Sequence, residues 1–247
     1  MDDKFNWQGI EIGDNVKLGK NVVIYPPCFI LGACEIGDNC IIYPNCYIKN
    51  CKIGSNVAIY MGNYLENVVI YGDCNLYPNN FIKESSISYD CDIKSSNIEG
   101  AFIDQGVVIG PYARLRQNSI VKEDCYVGAF VEMKNAVLGA GSKASHLAYM
   151  GDCVIGKNCN IGCGAIFVNY NGREKNKSIV GDNCFIGSNC NIIAPVEIES
   201  GSYICAGTTI TEKVEKDDFV IGRNRQVVKK NRAHEYLGVT DENYLRM

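Results

Sequence analysis

The stretch from Ile12 to Ile48 reads IGDNVKLGKNVVIYPPCFILGACEIGDNCIIYPNCYI, and an aliphatic residue returns in it every six positions: Ile12, Leu18, Ile24, Ile30, Ile36, Ile42 and Ile48. A period of six is neither the 3.6 of an amphipathic helix nor the 2 of an alternating strand. It fits a short strand followed by a turn, with three such units closing one triangular coil. The beat slips by one residue and continues through Ile53 and Ile59, then less cleanly through Ile70, Leu76, Ile82, Ile87 and Ile93. It returns from Ile103 through Ile109, Leu115, Val121, Val127 and Met133 to Leu138, and again from Ile186 to Ile210. Glycine often follows the beat residue, as at Gly13, Gly37, Gly54, Gly110, Gly162 and Gly187. Such glycines are expected at corners that need an unusual backbone angle.

The predicted fold is therefore all-β: a parallel β-helix of hexapeptide repeats. Solenoids with this repeat wind left-handed, against the usual crossover rule. Roughly 200 repeating residues at about 18 per coil give about eleven coils. At about 4.8 Å per stacked strand the prism is on the order of 50 Å long.

Fourteen cysteines in 247 residues invite a disulfide or zinc reading, but their phase argues otherwise. Cys28, Cys34, Cys40, Cys46, Cys51, Cys74, Cys91, Cys125, Cys153, Cys159, Cys184 and Cys190 each precede a beat residue by two positions. Val16, Val22, Val57, Ala113, Val196, Ser202 and Thr208 fill that slot in other repeats. It is a small inward corner, where a free thiol packs as a small hydrophobe. Only Cys163 and Cys205 fall outside the pattern. Free thiols imply a reducing, cytoplasmic setting. No signal peptide or membrane-spanning run is seen. A net charge of −4 gives no reason to expect nucleic acid.

The organisation expected is one solenoid domain over 8–222, then a polar tail over 223–247 with room for a short helix. The tail holds one of the two histidines, His234, to which no role is given. One segment, NYNGREKNKS from Asn169 to Ser178, has no aliphatic residue and is expected to leave the coil as an exposed loop.

The beat is quiet in GAGSKASHLAYMGD, Gly139 to Asp152, which holds the other histidine. Carrying the phase on from Leu138 with one slip makes Ala144 and Met150 core residues. His146 and Tyr149 then point outward, as do Glu132 and Lys134 on either side of Met133. Arg116 and Lys134 are 18 apart, and Glu132 and Tyr149 are 17 apart across a slip, so each pair stacks on adjacent coils. Paired cations can hold a phosphate, and a histidine beside a carboxylate can serve as a general base. The spacing alone reads more readily as a mixed-charge, solvated face. No metal site is indicated, and a zinc hydratase of this fold would need three histidine ligands.

The segments GPYARLR (Gly110 to Arg116), FVEMK, GSKASHLAYMGD, NIGCG, NYNG, IVGDNCFIGSN, IIAPV, AGTTIT and VIGR (Val220 to Arg223) add non-repeat motifs in one order. This run resembles the acetyltransferase domain of the bacterial bifunctional N-acetylglucosamine-1-phosphate uridyltransferase/glucosamine-1-phosphate acetyltransferase. The first 100 residues share only the repeat. The resemblance implies a homotrimer with sites between neighbouring prisms, moving an acetyl group from acetyl-CoA to the amine of glucosamine-1-phosphate. It implies that His146 is the base and Glu132 orients it. It assigns Arg116, Lys134, Tyr149, Asn160 and Lys175 to the sugar phosphate, and Asn169, Tyr170, Ser188, Ala206 and Arg223 to acetyl-CoA.

Gln117, Asn135 and the pair Phe167–Val168 depart from that family's usual residues, the last beside the acetyl-CoA site. Nothing resembles the Gly-rich GxGTRMxS loop of the uridyltransferase half, so that activity is not expected. The alternatives are a hexapeptide acetyltransferase for another amino sugar or nucleotide sugar, and a non-catalytic solenoid subunit of a separate nucleotidyltransferase.

Overall fold

A computed structural model describes residues 9–237. The strands build three parallel sheets of 12, 11 and 12 strands, each strand pairing only with its counterpart one coil before and one coil after. This is the left-handed parallel β-helix of hexapeptide repeats. The first sheet runs from Ile10–Ile12 to Thr209–Ile210, the second from Lys17–Leu18 to Val196–Ile198, and the third from Val23–Ile24 to Phe219–Val220. About 12 turns result, one more than the repeat count gives. The difference arises because coils are shorter than 18 through the middle of the chain. Ile10 lies opposite Cys28, 18 residues on, but Tyr47 opposite Tyr64 is 17 and Phe81 opposite Asn97 is 16.

The beat residues stack upon one another: Ile12 on Ile30, Ile30 on Ile48 and Ile48 on Leu65. They and the inward corner residues form one continuous apolar core. The twelve in-phase cysteines are all buried and free. Cys205 is buried too although it is out of phase, and Cys163 alone is exposed.

The glycines after the beat residue serve a different purpose from the one expected. Gly110 has a positive φ of 98°, but Gly37, Gly54, Gly162 and Gly187 do not. What they provide is room between coils. A Cβ on Gly37 would lie 2.6 Å from the carbonyl carbon of Gly54, and one on Gly162 would lie 2.6 Å from that of Gly187. The left-handed corners are made mostly by Asn and Asp, such as Asn21, Asn39, Asn56 and Asp73, whose short polar side chains tolerate that region. These side chains also bond up the column: Asn21 Nδ2 donates to Asn39 Oδ1 at 3.0 Å, and Asn56 Nδ2 to Asp73 Oδ1 at 2.8 Å.

One coil is enlarged. Ile166 lies opposite Asn191, 25 residues on, and the surplus is the segment between strands Ile166–Val168 and Ser178–Val180. The expelled segment is thus 169–177. Ser178, expected within it, opens a strand and is buried. Beyond Val220 the tail carries one short helix, Ala233–Leu237, and residues 238–247 lie outside the described part.

Candidate active site

Along one prism edge the third sheet turns into the first. Strand Lys143–His146 ends at this edge, Leu147 and Ala148 form the corner, and Tyr149–Gly151 begins the next face. One coil earlier, Tyr126–Ala129, Phe130 and Glu132–Lys134 make the same passage. Ala144 and Met150 are fully buried, as the phase requires, and His146 is exposed opposite Ala129. Tyr149 lies opposite Glu132 and Gly151 opposite Lys134. Arg116 donates its backbone N–H to Met133 at 2.9 Å, which stacks its side chain beside Lys134.

The Glu132 carboxylate accepts from Arg116 at 3.0 Å, and Arg114 lies 4.0 Å away. Within the single chain, then, Glu132 is engaged by arginine, and no hydrogen bond joins it to His146 among the described residues. On the far side of the first sheet Lys134 meets Lys175 of the expelled loop. Lys175, within hydrogen-bond reach, holds the Lys134 ammonium below its usual pKa, and the nearby Arg116 adds to this. Like charges held together favour an anion between them. Asp152 is a counter-charge to this pair. Burial works to raise its pKa, but hydrogen bonds from Asn135 and Asn169, with Lys175 and Lys134 close by, outweigh this and hold it low. A cleft of about 360 Å³ lies alongside, lined by Asn135, Asp152, Lys175 and Asn176 among others.

The residues that the resemblance assigns to acetyl-CoA fall into two groups. Backbone bonds tie Gly164 to Leu147 at 2.7 Å, Asn189 to Cys163 at 2.8 Å and Gly207 to Ser188 at 2.8 Å. His146, Cys163, Ser188 and Ala206 therefore follow one another up the first edge. Arg223 joins them, its Nη1 donating to the carbonyl of Ala206 at 3.1 Å. Asn169 and Tyr170 sit instead at the loop root, across the first sheet, where Asn169 is buried and Tyr170 exposed. Asn160 lies on the third sheet between Lys143 and Phe185, away from the Arg116–Lys134–Lys175 cluster. Sequence reasoning gave no role to Asp152 or Cys163. Asp152 stood inside a quoted motif, and Cys163 was signalled only by being out of phase.

The first edge is also unusual in its corner residues. Other coils place Asn45, Gly62, Asn79 or Gly164 there. Three successive coils place Tyr112, Phe130 and Leu147, each at positive φ and 62%, 63% and 58% exposed. Bulky residues in that conformation are strained. Tyr112 and Phe130 stack with ring centroids 5.6 Å apart.

Fold and repeat together define the class, a hexapeptide-repeat β-solenoid. The model for the bacterial transferase hexapeptide (six repeats) matches residues 33–67 and 177–212, and that for the hexapeptide repeat of succinyl-transferase matches 8–26. More particularly, the chain is similar to proteins named bifunctional protein GlmU. It is 50% identical over 136 residues to that of Clostridioides difficile, covering 55% of this chain and 30% of the relative. It is 44% identical over 138 residues to that of Acetivibrio thermocellus, covering 56% and 30%. The chain thus spans about a third of the length of these relatives. Among solved structures, the UDP-N-acetylglucosamine acyltransferase of Campylobacter jejuni aligns over 90% of this chain and 81% of its own, with TM-score 0.36 and 18% identity.

Proposed function

We propose that the chain is an acetyl-CoA-dependent N-acetyltransferase whose acceptor is the amine of glucosamine-1-phosphate, feeding UDP-N-acetylglucosamine synthesis. The observation that carries this reading is that the first sheet bears a cation cluster at one edge and an exposed histidine at the other. The cations Arg116, Lys134 and Lys175 offer a phosphate site, and His146 stands exposed on the neighbouring edge. The motif resemblance assigns the phosphate and the base to these same residues.

The chemistry follows from these residues. The amine nitrogen attacks the thioester carbonyl carbon, a C–N bond forms and the C–S bond breaks. An amine attacks only as the free base, so His146 accepts its proton, which finally reaches the departing thiolate. Arg116, Lys134 and Lys175 hold the phosphate by charge-assisted hydrogen bonds. Phosphate bound there competes with Glu132 for Arg116, freeing the carboxylate to steady the imidazole. The acetyl-CoA residues occupy two separate edges of one prism, so a single chain presents two half-sites. A trimer that sets the loop edge of one copy against the His146 edge of the next would complete them, and the exposed Tyr112–Phe130–Leu147 corner supplies an apolar surface for that contact.

The test is an acceptor panel with acetyl-CoA, read by mass spectrometry of the acetylated product. Glucosamine-1-phosphate is expected to be used far better than glucosamine. His146→Ala is expected to lower kcat by about 10²–10⁴-fold with little change in acetyl-CoA affinity. Turnover near wild type in a folded variant removes His146 as the base. Preference for an unphosphorylated or nucleotide-linked amino sugar transfers the reading to another acceptor.

A further inference from the structure

We infer that Asp152 is a positioning residue that clamps the root of the 169–177 loop and dictates which way the Asn169 amide faces. The orientation half of this inference rests on the acetyl-CoA reading above. Asp152 occupies the corner after Gly151 with φ 47°. Its Oδ1 accepts from Asn135 Nδ2 at 2.6 Å, and its Oδ2 accepts from Asn169 Nδ2. Its backbone carbonyl accepts from Ser178 N–H at 3.2 Å, while Asn176 N–H donates to the Asn169 carbonyl at 2.7 Å. Both legs of the loop are therefore tied to one residue, the outgoing leg through a side chain and the returning leg through backbone. Gly151 leaves the space for this. A Cβ there would come within 2.7 Å of Asn169 Nδ2 and 2.5 Å of the Tyr149 hydroxyl.

The orientation follows from donor and acceptor chemistry. An ionised carboxylate accepts hydrogen bonds and donates none. Asn169 must then turn its NH₂ toward Asp152 and present its carbonyl oxygen outward. Lys134 and Lys175 help keep Asp152 ionised. An outward acceptor at the loop root suits an amide N–H of the pantetheine arm. The same clamp fixes the loop that brings Lys175 to Lys134.

The experiment is a cycle of Asp152→Asn, Asn169→Asp and the double exchange, in the full chain. Asp152→Asn allows the Asn169 amide to face either way, and Asn169→Asp alone sets two carboxylates against each other. Each single variant is expected to weaken CoA binding by calorimetry, and to raise the acetyl-CoA KM, by about 3–10-fold, the size of one hydrogen bond. The rise in acetyl-CoA KM is expected to exceed any fall in kcat, because no proton-transfer group is exchanged. The double exchange swaps donor and acceptor yet still presents a carbonyl-type oxygen outward, so it is expected to return both values to within about twofold of wild type. Trypsin cleavage after Arg173, Lys175 or Lys177 is expected to quicken in the single variants and slow again in the double. Single variants that bind CoA and resist trypsin like wild type overturn the inference, as does a double variant no better than the worse single. If the wild-type chain binds no CoA, the acetyl-CoA reading and the orientation fall together, and the proteolysis series still decides the clamp.

Discussion

Cys163 and the thirteen other cysteines show how position on a rung decides the chemistry of a residue. Thirteen thiols are buried, twelve of them in the core, and Cys163 faces out on the edge between His146 and Ser188. Burial shields these thirteen from any reagent, and it pushes the Cys153 thiol up to about 12 and the Cys125 thiol up to about 11. A disulfide reagent such as DTNB is therefore expected to titrate one thiol quickly in the folded protein and all fourteen after denaturation. Cys163→Ser should abolish the fast phase, and bound acetyl-CoA should slow it. Several fast thiols in the native protein would mean that the inward corners are open to solvent. In two coils the corner holds a buried asparagine instead. Asn63 Nδ2 donates to the carbonyls of Leu76 and Tyr77 at 3.1 Å, and its Oδ1 accepts from Asn80 Nδ2 at 2.9 Å, so the polar groups are satisfied where a thiol would sit.

Among elements, the early strands of the first and third sheets are braced from outside. Tyr25, Tyr43, Tyr60 and Tyr77 stack up the third sheet with centroids 5.5, 4.9 and 5.3 Å apart. Tyr47, Tyr64 and Phe81 stack up the first at 4.8 and 4.9 Å. Beside them Lys83 and Lys49 reach Glu66 at 2.9 and 3.4 Å, and the Tyr64 hydroxyl donates to it at 2.9 Å. Hydrogen bonds from Lys83, then Tyr64, hold the Glu66 carboxyl down at about 2, against its ordinary 4.5. A depressed carboxyl stabilises the fold above its unfolded pKa, and that contribution is lost as pH falls through the folded value. Glu66 is therefore expected to add acid sensitivity between pH about 4.5 and about 2. The cluster is half-buried at the surface and open to solvent on one side, so the effect is modest and weakens with salt. Melting curves across that window should show a shallower acid decline for Glu66→Gln. Equal slopes for variant and wild type would leave the cluster without a thermodynamic role.

At the scale of the molecule, the solenoid is a ruler that stacks residues from distant repeats along three edges. Each rung adds about 4.8 Å, so the column from His146 to Ala206 extends over roughly 15 Å. The two half-sites on separate edges, and the strained apolar corner beside one of them, belong to the proposed trimer. Light scattering is expected to give three times the 27.2 kDa chain mass. Phe130→Glu should place a charge in the middle of that apolar corner, lowering the mass toward a single chain while the β signal in circular dichroism persists. A monomeric wild-type protein that is fully active would dismiss the shared site.

The sequence by itself determined the class of fold, the core and the register. Six-residue periodicity can be satisfied only by stacking, so Ile12, Ile30 and Ile48 had to fall in one column. It also determined that Ala144 and Met150 face inward and His146 outward, because phase is a local property of the chain. Tertiary structure alone decided the reason for the glycines, since the approach of Gly54 to Gly37 exists only between coils. It alone decided that Glu132 meets Arg116, that Asp152 holds both legs of the loop, and that Asn169 and Ser188 lie on different edges. These depend on where coils of 16, 17, 18 and 25 residues place side chains around the prism, and periodicity leaves that angle free because the core is satisfied equally whichever polar residue projects outward.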